Sequence, residues 1–388
     1  MSGRQWRVAV ICVALVIGAC NGSPTATVSP SPSPSAAPAS VSPSPEPSSP
    51  LGAFPEQPAG VPWPTEEWAE AELPAGIDRA AIDEATDRAL ADGGPQRVRA
   101  VVIVHGGTIV YERYSPNSAD GPDVVMPSWS VAKSVTSAFI GILVREGLLD
   151  VQEFAPVPEW HPEGADGRGS ITIEHMLHMS TGIGWSDDPR DPNSDTGRML
   201  SSADQAAYAA ALPQTNPPGE TFEYNTGTSI LLARIFGQAV GDNPDEVRAF
   251  MDRELFDRIG MTPVDTAFDE AGTWLGGYSA DSTARAFAKF GLLYVRGGEW
   301  DGEQILPTEW VNYTRTPSPA NPEYGAQWWL DPARPGVMYA IGFNGQVITV
   351  DPAHDLVIVQ LSTVGGELPL RQTEVILDAF AEGLAWGS

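Results

Sequence analysis

Ser130 and Lys133 stand three residues apart in Ser128-Trp129-Ser130-Val131-Ala132-Lys133-Ser134, where apolar residues begin to recur at helical spacing from Val131 to Glu146. That spacing sets a hydroxyl and an ammonium on one helix face. A serine at a helix N-terminus lies beside backbone N–H groups that the helix does not use, and these favour a developing oxyanion. A lysine drawn out of water loses proton affinity and can take the serine proton. Taken alone, the same letters also describe a capping serine and a solvated lysine. A second segment, Pro218-Gly219-Glu220-Thr221-Phe222-Glu223-Tyr224-Asn225-Thr226, puts Tyr224 just ahead of the apolar Ile230-Leu231-Leu232. A phenol at such a helix start can point at a nucleophile, and a nearby ammonium favours its phenolate. In a third, Gly342-Phe343-Asn344-Gly345-Gln346, the glycines allow a close backbone approach and a strand edge can offer an N–H. These groups suit acyl transfer from an amide or ester.

The elements that must hold them follow from periodicity. Ile77 to Leu90 is helical, and Val98 to Val104 and Thr108 to Tyr114 form a hairpin around Gly106-Gly107. The run from Val131 stops at Gly147. Ile173 to Met179, Ala203 to Leu212, Ser229 to Val240 and Val247 to Ile259 are expected helices. Gln346 to Val350 and Asp355 to Thr363 are strands flanking Pro352, and a helix from Leu370 to Leu384 follows. Strands near both ends with helices between them predict an α+β domain whose antiparallel sheet joins N- and C-terminal strands.

In order and context the three segments resemble the serine β-lactamase and penicillin-binding-protein superfamily, its class C and esterase-like branch above all. Ile171-Thr172-Ile173-Glu174-His175-Met176-Leu177-His178-Met179-Ser180-Thr181-Gly182-Ile183 resembles that branch's helix and turn. Trp185 to Asp195 and Phe222-Glu223-Tyr224-Asn225-Thr226-Gly227 are similar to the acidic loop and second motif of 6-aminohexanoate-dimer hydrolases. The resemblance spans about Ile77 to the C-terminus. It implies a β-lactamase-like fold with a mostly helical subdomain, acylation on Ser130, and proton transfer shared by Lys133 and Tyr224. It further implies an oxyanion hole of the Ser130 and Gln346 backbone N–H groups, with Asn344 and Gly345 lining the substrate. No metal or organic cofactor is implied.

The pattern departs at two positions. Thr226 stands where the β-lactamase second motif has asparagine, and Phe343 where the third usually has lysine or histidine. Recognition of an anionic substrate end should weaken, so β-lactamase and D-Ala-D-Ala carboxypeptidase rank behind an amidase or esterase. Arg334 is a candidate replacement cation. Asp187, Asp188, Asp191 and Asp195 describe a solvated loop as readily as one holding a substrate ammonium, for which Asp187 and Asp188 are the candidates. A tethered recognition module with a dead site is the non-enzyme alternative. His175 and His178 have no Glu-x-x-His partner set and are expected to be structural. The tryptophans, Trp328-Trp329 among them, are assigned to core or pocket wall.

With 50 acidic against 22 basic residues in 388, the net charge of -28 excludes a nucleic-acid binder and a polybasic membrane-surface protein. Arg4 and Arg7 precede the apolar Val8 to Ile17, and Gly18-Ala19-Cys20 follows, resembling a lipoprotein signal with lipidation at Cys20. Residues 21–64 are rich in Pro, Ser, Ala and Thr and read as a semi-rigid tether. The expected organisation is a signal over 1–20, a tether over 21–64 and a hydrolase domain over 65–388. The protein would be secreted and lipid-anchored to the outer face of a bacterial membrane, acting on a small-molecule amide or ester. Nothing in the sequence sets the oligomeric state.

Overall fold

The β-branched runs beside Gly106-Gly107 form the expected hairpin, β1 (Val98–His105) and β2 (Thr108–Tyr114). Both glycines take positive φ, 57° and 74°, as a tight turn matched to the strand twist demands. In this computed structural model, which describes residues 51–90, 98–117, 120–161, 167–241, 243–363 and 368–385, the hairpin is one edge of a six-stranded sheet. The others are β3 (Trp329–Leu330), β4 (Met338–Gly342), β5 (Gln346–Asp351) and β6 (Leu356–Ser362), in the order β2-β1-β6-β5-β4-β3. β1 pairs antiparallel with β6, Val102 opposite Val359, so N- and C-terminal strands share the sheet as the sequence predicts.

Alternation along β1 assigns its two faces. Ala100, Val102 and Val104 enter the larger core, packed with α2 (Val131–Arg145), α3 (Thr226–Val240) and α4 (Ala284–Val295). Val101 and Ile103 enter a smaller core with Ile82 of α1 (Arg79–Leu90) and Ile376 and Phe380 of α5 (Leu368–Ala385). A sheet buried on both faces explains why β6 reads as a nearly unbroken apolar run and why every residue of β5, polar ones included, is buried. Among the described residues, no helix is long and apolar enough to cross a membrane.

Three differences from expectation have physical causes. α4 went unread because its only polar marks, Arg285 and Lys289 four residues apart, stand in a run otherwise apolar and almost wholly buried. The stretch Val247 to Ile259 is a helix only at Pro244–Met251, opened by the Asn243 cap, and then widens into a π turn over Asp252–Phe256. The folded body also reaches back into the segment assigned to the tether. The Arg315 guanidinium lies 4.1 Å from the Phe54 ring centroid, Arg296 donates to Gln57 at 2.9 Å, and Trp63 packs on Trp300 at 5.0 Å. Phe54 and Trp63 are anchors that the average composition of 21–64 hid. The signal, Cys20 and the tether as far as residue 50 lie outside the described residues.

Candidate active site

Ser130 is the N-cap residue of α2, yet its side chain caps nothing. Its Oγ instead lies 3.2 Å from Lys133 Nζ, and the hydroxyl acts to lower the pKa of the Tyr224 phenol. Its backbone N–H donates to no group among the described residues. Lys133 is 1% exposed, so both halves of the ordinary reading, capping serine and solvated lysine, fail. The ammonium donates to the Gly277 carbonyl (2.8 Å) and to Thr226 Oγ1 (3.2 Å). Burial pushes its pKa down from 10.5 to about 8, and the Asp187 charge opposes that fall. A lysine so placed gives up its proton more readily than one in water.

Tyr224 sits immediately before Asn225, whose side chain caps α3 by accepting the Thr228 N–H at 2.7 Å. Its ring packs on Trp329 (5.3 Å) and Tyr324 (6.0 Å). Burial raises the phenol above its ordinary range, which the Ser130 hydroxyl partly offsets. The expected preference for phenolate is not realised: Lys133 Nζ lies over the ring, 5.3 Å from its centroid. The upward shift keeps Tyr224 a neutral phenol.

Sequence reasoning missed the groups that hold α2 and its buried lysine. Thr226, noted there only as a departure, is a direct partner of Lys133. Thr136 bonds the Gly276 carbonyl (2.8 Å), one helical turn from the Lys133–Gly277 contact. On the adjacent face, Ser134 and Ser137 bond the carbonyls of Gln327 (2.8 Å) and Ala326 (2.9 Å). The Gln327 side chain in turn accepts from Ser229 of α3 and donates to the carbonyl of Leu177. Small hydroxyls at 133+3 and 134+3 spacing were the available signal.

The Gly342–Gln346 turn arrives where expected. A Cβ on Gly342 would stand 2.4 Å from the Ser128 carbonyl oxygen, so only glycine lets β4 pass the Ser128–Ser130 segment this closely. Phe343 meets Trp129 edge-on at 5.5 Å. Asn344 and Gly345 reverse the chain with φ of 61° and 83°. The Gln346 side chain is spent on Ser362, donating to its carbonyl (2.5 Å) and accepting its N–H (3.1 Å), which fixes the start of β5. Arg334 does not replace the missing cation, because Asp331 and Asp378 hold it at 3.0 and 2.6 Å. The cation beside Phe343 is Arg190, 5.2 Å over its ring.

The acidic loop divides by role. Asp187, exposed and bonded by Thr196 (2.5 Å), acts electrostatically on both Lys133 and Tyr224. Asp188 accepts the Arg190 N–H (2.9 Å), Asp191 the Asn193 N–H (2.8 Å), and Asp195 both donors of Ser186 (2.9 and 2.6 Å), so these three build the loop. His175 closes a capping box with Thr172, and buried His178 stacks on Tyr313 at 5.2 Å. Trp328 is core, and Trp329 lies against Tyr224.

The sheet with its helical layers, and a serine–lysine–tyrosine cluster at the start of a buried helix, define a β-lactamase-like serine hydrolase architecture. The chain belongs to the Beta-lactamase family, whose model matches residues 88–382. It is 29% identical over 295 residues to the 6-aminohexanoate-dimer hydrolase of Paenarthrobacter ureafaciens, covering 68% of this chain and 72% of that one. A Bacillus anthracis structure assigned as a 6-aminohexanoate-dimer hydrolase superposes with a TM-score of 0.66 at 22% identity, over 82% of this chain and 88% of that one. A family VIII carboxylesterase gives 0.62 at 13% identity, over 80% and 99%. The expected superfamily, fold and serine hydrolase class are thereby borne out.

Proposed function

We propose that this protein hydrolyses a small amide or ester through an acyl-enzyme on Ser130, with Lys133 as base and Tyr224 as acid. The carrying observation is a buried Lys133 whose Nζ lies 3.2 Å from Ser130 Oγ, in surroundings that lower its proton affinity. Neutral Lys133 takes the Ser130 proton as Oγ bonds to the substrate carbonyl carbon. The backbone N–H groups of Ser130 and Gln346 receive the oxyanion. As the C–N or C–O bond breaks, Tyr224 gives its proton to the leaving amine or alcohol and is reprotonated by the Lys133 ammonium. Water then attacks the acyl carbon, a proton passes to the Lys133–Tyr224 pair, and Ser130 Oγ leaves and regains a proton.

Asn344 and Gly345 would line the acyl group, and Asp187 gives the mouth a negative charge suited to a substrate ammonium. The Paenarthrobacter relative is a hydrolase of a 6-aminohexanoate dimer, whose free amino end fits that negative mouth. The test is intact-protein mass after exposure to p-nitrophenyl esters, a fluorophosphonate and a penicillin, for wild type and Ser130→Ala. Adducts on wild type alone support the nucleophile, and an unchanged Ser130→Ala refutes it. Fastest labelling by penicillin would favour the β-lactamase alternative.

The signal-like 1–20 and the Pro/Ser-rich stretch behind it support anchoring by a lipid on Cys20 to the outer face of a bacterial membrane. Radiolabelled palmitate incorporated by the wild type but not by Cys20→Ala is the expected result, and equal incorporation would refute the anchor.

A further inference from the structure

Trp129, directly before Ser130, has φ of 46°, a left-handed conformation that a bulky residue adopts only where its surroundings impose it. One flank is the close passage of Gly342 across the Ser128 carbonyl. The other flank is Asp281. Its Oδ1 accepts the Ser128 backbone N–H at 2.8 Å and lies 3.0 Å from Ser128 Oγ, which also reaches the Tyr278 carbonyl at 3.2 Å. The same Oγ accepts the Ala280 N–H at 2.8 Å. Met126 and Ser282 exchange backbone bonds of 2.9 and 3.1 Å, so the segment before the nucleophile is stitched to 280–282 over its length. Ser128 is fully buried, and these bonds leave it no rotational freedom.

The 278–282 segment follows directly on Gly277, whose carbonyl receives the Lys133 ammonium. One stretch of chain thus fixes the base at one end and the turn before the nucleophile at the other. We propose that Asp281 is a positioning residue for acylation, acting through Ser128 to hold the strained Trp129 turn and so to set Ser130 Oγ against Lys133. It touches none of the reacting atoms. Its part is to supply one acceptor oxygen for two Ser128 donors, and the other jaw of the clamp is the Gly342 backbone.

This rests on the serine-nucleophile reading, and the test separates the two. The acylation rate with a fluorophosphonate and a p-nitrophenyl ester would be measured for wild type, Asp281→Ala, Asp281→Asn, Ser128→Ala and the Ser128→Ala/Asp281→Ala pair, with substrate affinity from saturation. Asp281→Ala should slow acylation ~10- to 100-fold with affinity within about threefold, since misplacement of this order costs rate rather than binding. Asp281→Asn keeps an acceptor oxygen in place and should recover most of the rate. The double variant should be no slower than Asp281→Ala, because both changes cut one chain of contacts. Wild-type rate in Asp281→Ala, no rescue by asparagine, or losses that multiply in the pair would each overturn the proposal. If Asp281→Ala does not fold, Ser128→Ala decides, since wild-type acylation by it is fatal to the idea. A wild type that is not acylated on Ser130 sinks the nucleophile reading instead.

Discussion

If Lys133 is the base, the rate of acylation must follow its neutral fraction. With a pKa of about 8, that fraction is about one tenth at pH 7 and about one hundredth at pH 6, and it approaches one above pH 9. Tyr224 stays a phenol throughout this range, because burial raises it. So kcat/KM for a p-nitrophenyl ester should climb about tenfold per unit from pH 6 to 7.5 and level off near 9. Asp187 supports the ammonium, so Asp187→Asn should move the whole limb to lower pH by less than a unit, the carboxylate being exposed and screened. At pH 7 the variant would then be faster than wild type on a neutral ester, and slower on a substrate bearing an ammonium. Stopped-flow acylation between pH 5.5 and 9.5 measures both limbs. A flat wild-type profile over pH 6 to 8 would refute Lys133 as the base. A limb unmoved by Asp187→Asn would show that the loop does not act on it.

Tyr224→Phe should cost ~10²–10⁴ in kcat on amides and far less on p-nitrophenyl esters, whose leaving group needs no proton; equal losses on both would count against the acid role. Thr226→Val removes one acceptor from the Lys133 ammonium, so it should shift the acid limb below 8 while lowering stability by about 1 kcal/mol, read from pH profiles and urea melts. Gly342→Ala drives a Cβ to 2.4 Å from the Ser128 oxygen and should destabilise by about 1–3 kcal/mol with a fall in acylation; a variant matching wild type in both would disprove the close passage.

The meeting of Ser130, Lys133 and Tyr224 was legible because they sit at helix starts, where local spacing fixes geometry. The N-terminal to C-terminal sheet was legible because both ends carry apolar strands. What was not legible is what long-range packing decides. Thr226 is a partner of Lys133 only because α3 crosses α2 there, and Gly277 and Asp281 lie about 150 positions from the segment they hold. Arg334 and Arg190 are indistinguishable as letters: ion pairs to Asp331 and Asp378 engage the first, and the second lies over Phe343. Asp187 and Asp188 are neighbours in sequence, yet only Asp187 acts on Lys133 and Tyr224, and no period predicts which. Phe54 and Trp63 were lost for the opposite reason, two anchors diluted in a proline-rich average.

The buried lysine should also leave a mark on folding. In the unfolded chain Lys133 titrates near 10.5, and in the native state near 8. Between those values the unfolded state binds more protons, so the stability of the wild type must rise with pH. The cost of holding the ammonium in a dry site is complete below pH 8 and disappears as the pH passes 10.5. From pH 7 to 10 the gain is on the order of 2–3 kcal/mol, since the unfolded chain keeps the proton over most of that range while the native state loses it. Lys133→Met lacks that titration. Its own stability depends on how the Gly277 carbonyl and Thr226 hydroxyl are resolvated, but that offset does not vary with pH. The difference between wild type and Lys133→Met in urea unfolding should therefore move by roughly 2–3 kcal/mol in favour of the wild type from pH 7 to pH 10. Parallel curves would mean that Lys133 keeps its ordinary proton affinity in the native state. The case for it as a base at neutral pH would then fall on stability data alone, without a substrate in hand.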